Sequence, residues 1–290
     1  MKKTLITFAV IIFSFAPASA MSKAPVDWNP NQNKVSITDD GQYRYIQSNG
    51  IPDHYTGQFP NRRNPNTIQE QKHQYRVPLH PVLRKNISKL EMHPFGVAIN
   101  GIPFDPGAAE FWNRDRNSGW QYEALSGKID LGMDENNAHV QPGGSYHYHG
   151  LPAGLISSSL HSPLIGYAAD GFPIYARYGY SDPEDSDSQI KKLTSSYRLK
   201  KGSRPDGPGG EYDGSFVEDY EYVNGQGDLD ECNGRFGKTP EYFQGTYHYF
   251  VTEEFPFIPR YFHGTPDNSF MRHGPRGGMH KQPPHHKRFK

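Results

Sequence analysis

The chain has 290 residues, and its 31 Lys plus Arg balance 31 Asp plus Glu, but six basic residues and no acids fall in the last twenty positions, so the remainder is acidic. An acidic body argues against nucleic acid as a partner, because binding the phosphate backbone needs a basic face. The single cysteine, Cys232, excludes an intrachain disulfide, and 30 Gly with 25 Pro beside 19 Tyr and 17 Phe favour short strands and tight turns over long helices.

In chain order, residues 1–20 carry a basic start (Lys2, Lys3), an apolar run over 5–15 and Ala18-Ser19-Ala20. That pattern predicts a signal peptide and an exported product, periplasmic or secreted. The run is too short to cross a bilayer core of roughly 30 Å as a helix, so no transmembrane segment is expected after cleavage. Residues 21–94 read as an amino-terminal β extension, with strand-like pieces at 34–38 and 43–47. Residues 95–267 read as an all-β or mainly β fold, a compact β-rich domain built from two related halves with many turns and little helix. Residues 268–290 are rich in His, Gly, Pro and basic side chains, and a disordered tail is expected there.

The two halves rest on an internal echo. Gly96-Val97-Ala98-Ile99-Asn100-Gly101-Ile102-Pro103 matches Gly166-Tyr167-Ala168-Ala169-Asp170-Gly171-Phe172-Pro173, and Tyr146-His147-Tyr148-His149 matches Tyr247-His248-Tyr249-Phe250 in the same order. The pseudo-repeat spans 95–150 and 165–255. Asn-Gly and Asp-Gly between apolar stretches are hairpin signals, because both central residues tolerate positive φ. The stretch 182–227, with its Asp, Pro and Gly clusters, reads as a surface insertion in the second half.

Side chains at i and i+2 of a strand share a face, so a strand at 146–149 places His147 and His149 together and the two tyrosines opposite. Two neutral imidazoles on one face form half of a transition-metal site. His139 precedes the turn-forming Gln141-Pro142-Gly143-Gly144, and a hairpin returns it beside the pair. His248, the equivalent of His147, and His161, which leads into the second half, are further candidate ligands; folding of the repeat onto itself is expected to bring them to a common centre. Cys232 is a sixth candidate through its thiolate. The cofactor expected is one transition-metal ion, copper favoured over zinc. The tail adds His273, His280, His285 and His286 with Met271 and Met279, a set suited to copper or nickel capture.

Two other function classes compete. A binding or scaffold module would use aromatic surfaces around Trp112, Trp120 and Tyr122 to stack on an envelope glycan or peptide. A hydrolase would use His147 as general base, oriented by Asp134 or Asp170. Whether the chain is an enzyme stays open: no nucleophile-elbow or metalloprotease motif names a reaction, although Tyr146 or Tyr148 near a metal would suit one.

Gly143-Gly144-Ser145-Tyr146-His147-Tyr148-His149-Gly150, the run from His161 to Tyr175, and Asp228-Leu229-Asp230-Glu231-Cys232-Asn233-Gly234 resemble the YHYH-domain family of exported bacterial proteins. The similarity covers residues 95–267, with several motifs in the family's order. It implies export but names no activity, so the metal reading stands on the histidines. The second half departs from the pattern at Phe250, where a second complete His-x-His pair would need histidine.

Overall fold

The computed structural model describes residues 32–156 and 160–271. The expected leader at 1–20 lies outside them, as does 272–290 of the expected tail. Helical structure among the described residues is confined to single 3-10 turns, and the fold is mainly β, as expected.

Three strands, β1 (Val35–Asp39), β2 (Tyr43–Ser48) and β3 (His73–Pro78), form an antiparallel sheet before the domain. There follow β4 (Ser88–Lys89), β5 (Gly96–Ala98), β6 (Pro103–Phe104), β7 (Gly107–Phe111), β8 (Gln121–Glu123), β9 (Ala138–Val140) and β10 (Tyr146–Tyr148). The second half holds β11 (Gly166–Ala168), β12 (Pro173–Ala176), β13 (Tyr178–Tyr180), β14 (Ile190–Lys192), β15 (Tyr197–Leu199), β16 (Tyr220–Tyr222), β17 (Gly234–Gly237), β18 (Thr246–Val251) and β19 (Tyr261–Phe262).

Eight of these strands make the central sheet, in the order β17-β18-β12-β11-β5-β6-β10-β9. At its middle β5 and β11 run antiparallel, with the equivalent residues Val97 and Tyr167 facing each other and Gly96 facing Ala168 on one side of them, so the two echoed motifs meet about a local two-fold. Outward from there both sides follow one plan. Each inner hairpin is flanked by a parallel strand, β10 beside β6 and β18 beside β12. Each of those then pairs with an antiparallel edge strand, β9 or β17. The inner hairpins turn at Asn100-Gly101 and Asp170-Gly171. Gly171 has φ of +94°, and a Cβ there would stand 2.4 Å from the Pro78 carbonyl oxygen, so the turn needs glycine twice over.

One face of the sheet carries the main core, in which Phe95, Phe104, Tyr146, Tyr148 and Tyr249 are fully enclosed. The stretch at 182–227 is not only surface: Phe216 and Asp219 are buried, and Asp219 pairs with Arg204 at 2.6 Å. At the other end, residues 268–271 are folded, with Phe270 buried and stacked on Tyr75 at 4.5 Å.

Candidate metal centre

The hairpin of β9 and β10 sets the site. The pairing puts His147 directly opposite His139, and the His149 backbone N–H donates to the Asn137 carbonyl at 2.7 Å, carrying the ladder one residue beyond β10. Period-two alternation then turns all three imidazoles to one side. Their ring centroids form a nearly equilateral triangle with sides of 4.6, 4.8 and 4.7 Å. One ligand nitrogen from each ring can be chosen so that all lie within 4.8 Å of one another, a grouping able to hold a metal ion. His147 and His149 are buried and His139 is half-buried.

Hydrogen bonds choose which nitrogen is presented. His139 Nδ1 lies 3.0 Å from the Leu131 carbonyl and His147 Nδ1 lies 3.3 Å from the Ser145 carbonyl. A carbonyl only accepts, so both Nδ1 atoms carry the proton and both Nε2 atoms keep a lone pair. His147 Nε2 and His149 Nε2 are 2.9 Å apart. Two lone pairs do not face each other at that distance, so without an ion His149 carries its proton on Nε2 and donates to His147. The Pro106 carbonyl favours a proton on the His149 ring, although Nδ1 makes no full hydrogen bond among the described residues. An ion can therefore take both Nε2 atoms if the His149 proton shifts to Nδ1. Burial holds the pKa of His149 well below the usual imidazole range, with the neighbouring His147 and His139 adding to it, and burial also lowers that of His139. Neutral rings are what a metal requires.

Residues that the sequence reading did not pick out support the triad. Asn64 is buried; its side-chain amide lies 3.2 Å from His139 Nδ1 and donates to the Val140 carbonyl at 3.0 Å. Arg260 pairs with buried Glu123 at 2.6 Å and donates to the Pro106 carbonyl at 3.0 Å, fixing the carbonyl beside His149. Asp105, buried, lines with His147 and Gln141 a cleft of about 390 Å³.

The other three candidate ligands stand elsewhere. The strands bearing His147 and His248 are five places apart in the sheet, roughly 24 Å at ~4.8 Å per strand, so no common centre forms. His248 faces Arg235 across β17 and β18, and both it and His161 pack edge-on against Tyr175, with centroids 5.5 Å away. Cys232 is buried in the main core, where desolvation pushes its thiol up, away from thiolate.

The tyrosines expected beside the metal are on the opposite face. Tyr146 donates to Asp134 at 2.6 Å, and the Tyr148 hydroxyl lies 2.6 Å from His54 Nε2. Asp134 is thereby committed to Tyr146, and Asp170 accepts from Tyr249 and from the Gly264 N–H at 2.8 Å. Of the aromatics proposed for stacking on a glycan, Trp120 is buried and Tyr122 packs on Phe216 at 4.5 Å.

A family model described as YHYH protein matches residues 74–264, the greater part of the chain. No curated protein and no solved structure matches.

Proposed function

The chain belongs to the YHYH family, and from that premise we propose that it is an exported protein, periplasmic or secreted, that binds one transition-metal ion through His139, His147 and His149, copper in preference to zinc. The observation that carries this is the triangle of imidazoles, two buried and His139 half-buried, whose nitrogens lie within 4.8 Å of one another. Burying His147 and His149 side by side under a half-buried His139 costs solvation that a core of apolar residues would not. A shared ion offsets that cost. The preference for copper rests on ligand chemistry: imidazole nitrogens suit both ions, and at a given nitrogen site Cu(II) binds more tightly than Zn(II). Export is supported by the basic, apolar and small-residue succession in residues 1–20.

Three protein ligands leave a coordination position for water or another donor, the arrangement that catalytic centres share. The cleft beside His147 and Asp105 gives that position access.

The test is elemental analysis of protein taken from the exported fraction without a metal-chelating tag. Wild type should carry close to one copper ion per chain, and the His147→Ala/His149→Ala variant should carry none while keeping its circular dichroism. A wild type that arrives metal-free and takes up neither Cu(II) nor Zn(II) at micromolar concentration sinks the reading.

A further inference from the structure

The amino-terminal sheet ends in a strand whose outer edge has no strand partner among the described residues. β1 pairs with β2 on one side only, and all five of its residues are exposed, whereas β2 and β3 each bury two. Its backbone direction follows from the bonds that frame it: the Asn49 N–H donates to the Lys34 carbonyl at 3.0 Å, and the Asp40 N–H to the Tyr43 carbonyl at 3.1 Å. Alternate residues of an antiparallel ladder bond inward, so Ser36 and Thr38 bond β2 while Val35, Ile37 and Asp39 turn their N–H and C=O groups outward. The side chains agree. Ile37 stands beside Ile46, and Ile46 beside Tyr75, in one row across the three strands. Ile46 is 0% exposed and Tyr75 8%, but Ile37 is 42% exposed, so the apolar row stops one strand short of cover. Residues 35–38 also lack the proline, bulge or charge by which proteins blunt an edge.

We propose that β1 of one copy pairs antiparallel with β1 of a second copy, about a two-fold axis at Ile37, joining the two three-stranded sheets into one. The occupant is argued from what this register does. Ile37 meets the partner's Ile37, so the apolar row runs unbroken across both sheets. Lys34 falls opposite the partner's Asp40 and Asp40 opposite the partner's Lys34, which places opposite charges at both ends, and Ser36 falls opposite the partner's Thr38. The Asp40 carboxylate is already held in place, accepting from the Gln42 and Tyr43 N–H groups at 2.9 and 2.7 Å. Asp39 falls opposite the partner's Val35 and keeps Arg44 beside it on β2. A shift of two residues either sets Ile37 against the partner's Asp39 or takes Lys34 away from the partner's Asp40, and parallel pairing in register sets Lys34 against the partner's Lys34. A strand complementary to itself in one register suits a two-fold interface, where the same patch serves both copies. The three outward residues of each copy exchange about six N–H···O bonds. A single pair of five-residue strands falls short of the ~1,200–2,000 Å² of a standard interface, so the dimer is weak and forms with rising concentration. None of this depends on the metal reading.

The experiment follows the exported protein by sedimentation velocity from about 1 to about 500 µM, in EDTA so that no ion bridges two copies. Wild type should pass from monomer toward dimer over this range. Ile37→Lys, which sets two like charges on the axis, should weaken association at least tenfold while circular dichroism is unchanged. Cross-linking reads the register. Cys232 is buried, so a disulfide under mild oxidation reports the introduced thiol alone. Ile37→Cys should cross-link two chains, because Cα atoms of a hydrogen-bonded pair stand ~5.5 Å apart. Val35→Cys, ~13 Å from the same position in the second copy, should not. A wild type that stays monomeric throughout overturns the proposal, and so does a dimer indifferent to Ile37→Lys whose Ile37→Cys form fails to cross-link. Either result leaves the metal reading intact, because the triad stands on a different sheet.

Discussion

The outer hairpins of the central sheet, β9 with β10 and β17 with β18, follow one backbone plan and differ in what they can hold. In each, an imidazole of the outer parallel strand has its Nδ1 tied to the carbonyl two residues earlier, Ser145 for His147 at 3.3 Å and Thr246 for His248 at 2.9 Å. In each, the opposite face anchors a tyrosine on an aspartate, Tyr146 on Asp134 and Tyr247 on Asp230. The difference lies in two neighbours. Where the first hairpin has His139 across the pair, the second has Arg235, whose guanidinium donates to the Tyr180 carbonyl at 2.7 Å. Where the first continues to His149, the second continues to buried Phe250. A fixed cation and a phenyl ring replace two ligands. The lesson is that the backbone presents an imidazole nitrogen on both sides, and that only neighbouring side chains decide whether an ion can join it.

The largest expected effect is to erase that difference. The Arg235→His/Phe250→His variant should raise the copper stoichiometry from one to two per chain by isothermal titration, the new site being the weaker because its surroundings were packed for a phenyl ring. Stoichiometry staying at one would show that the second backbone differs in ways the hydrogen bonds do not reveal. A smaller effect separates ring orientation from ring identity: Asn64→Ala leaves all three histidines in place but removes the amide beside His139. Affinity should fall roughly 10–100-fold, as when groups supporting metal ligands are lost, and an unchanged affinity would make the Leu131 carbonyl sufficient by itself.

The change with the smallest expected effect on metal binding concerns the second hairpin's own histidine. Burial pushes the pKa of His248 down to about 3, against ~6.5 in the unfolded chain. Between these values the unfolded chain takes up a proton that the folded chain refuses, so His248 lowers stability as pH falls from ~6.5 toward ~3, with a slope of up to ~1.4 kcal/mol per pH unit. Asp170, raised by burial to about 6, acts in the opposite sense, its contribution being lost as pH rises through that value. Urea unfolding of His248→Gln and its parent, both carrying His147→Ala/His149→Ala, isolates the His248 contribution from those of Asp170 and the triad. Parallel pH profiles for the two would mean that His248 takes up its proton in the fold as readily as in the unfolded chain.

Much of this was legible in the chain. The composition pointed to strands, Asn100-Gly101 and Asp170-Gly171 to the inner hairpins, and the spacing of His147 and His149 to a shared face. His139 was reachable through the Gln141-to-Gly144 turn, because a short hairpin fixes the residues opposite each other. What failed was the expectation of a single centre for both halves. Local patterns define each hairpin but not the order in which hairpins assemble, and pairing of β5 with β11 at the middle sends the histidine strands to opposite sides. Asn64 was out of reach for a related reason: it stands 75 residues from His139 in sequence, and no period or motif marks an asparagine whose amide will pack beside a distant ring. Asp105 and the Pro106 carbonyl were similarly silent, since their roles depend on a register set elsewhere.

The Val140 carbonyl, on the last strand of the sheet, accepts from both Asn64 and Asn66 at 3.0 and 2.8 Å. Two side-chain amides thus stand where a ninth strand would otherwise bond. The sheet is stopped there, and its border offers less of a template for strand addition by another molecule. The same asparagine that packs beside His139 therefore also covers this edge, so one side chain serves both the sheet border and the surroundings of the triad.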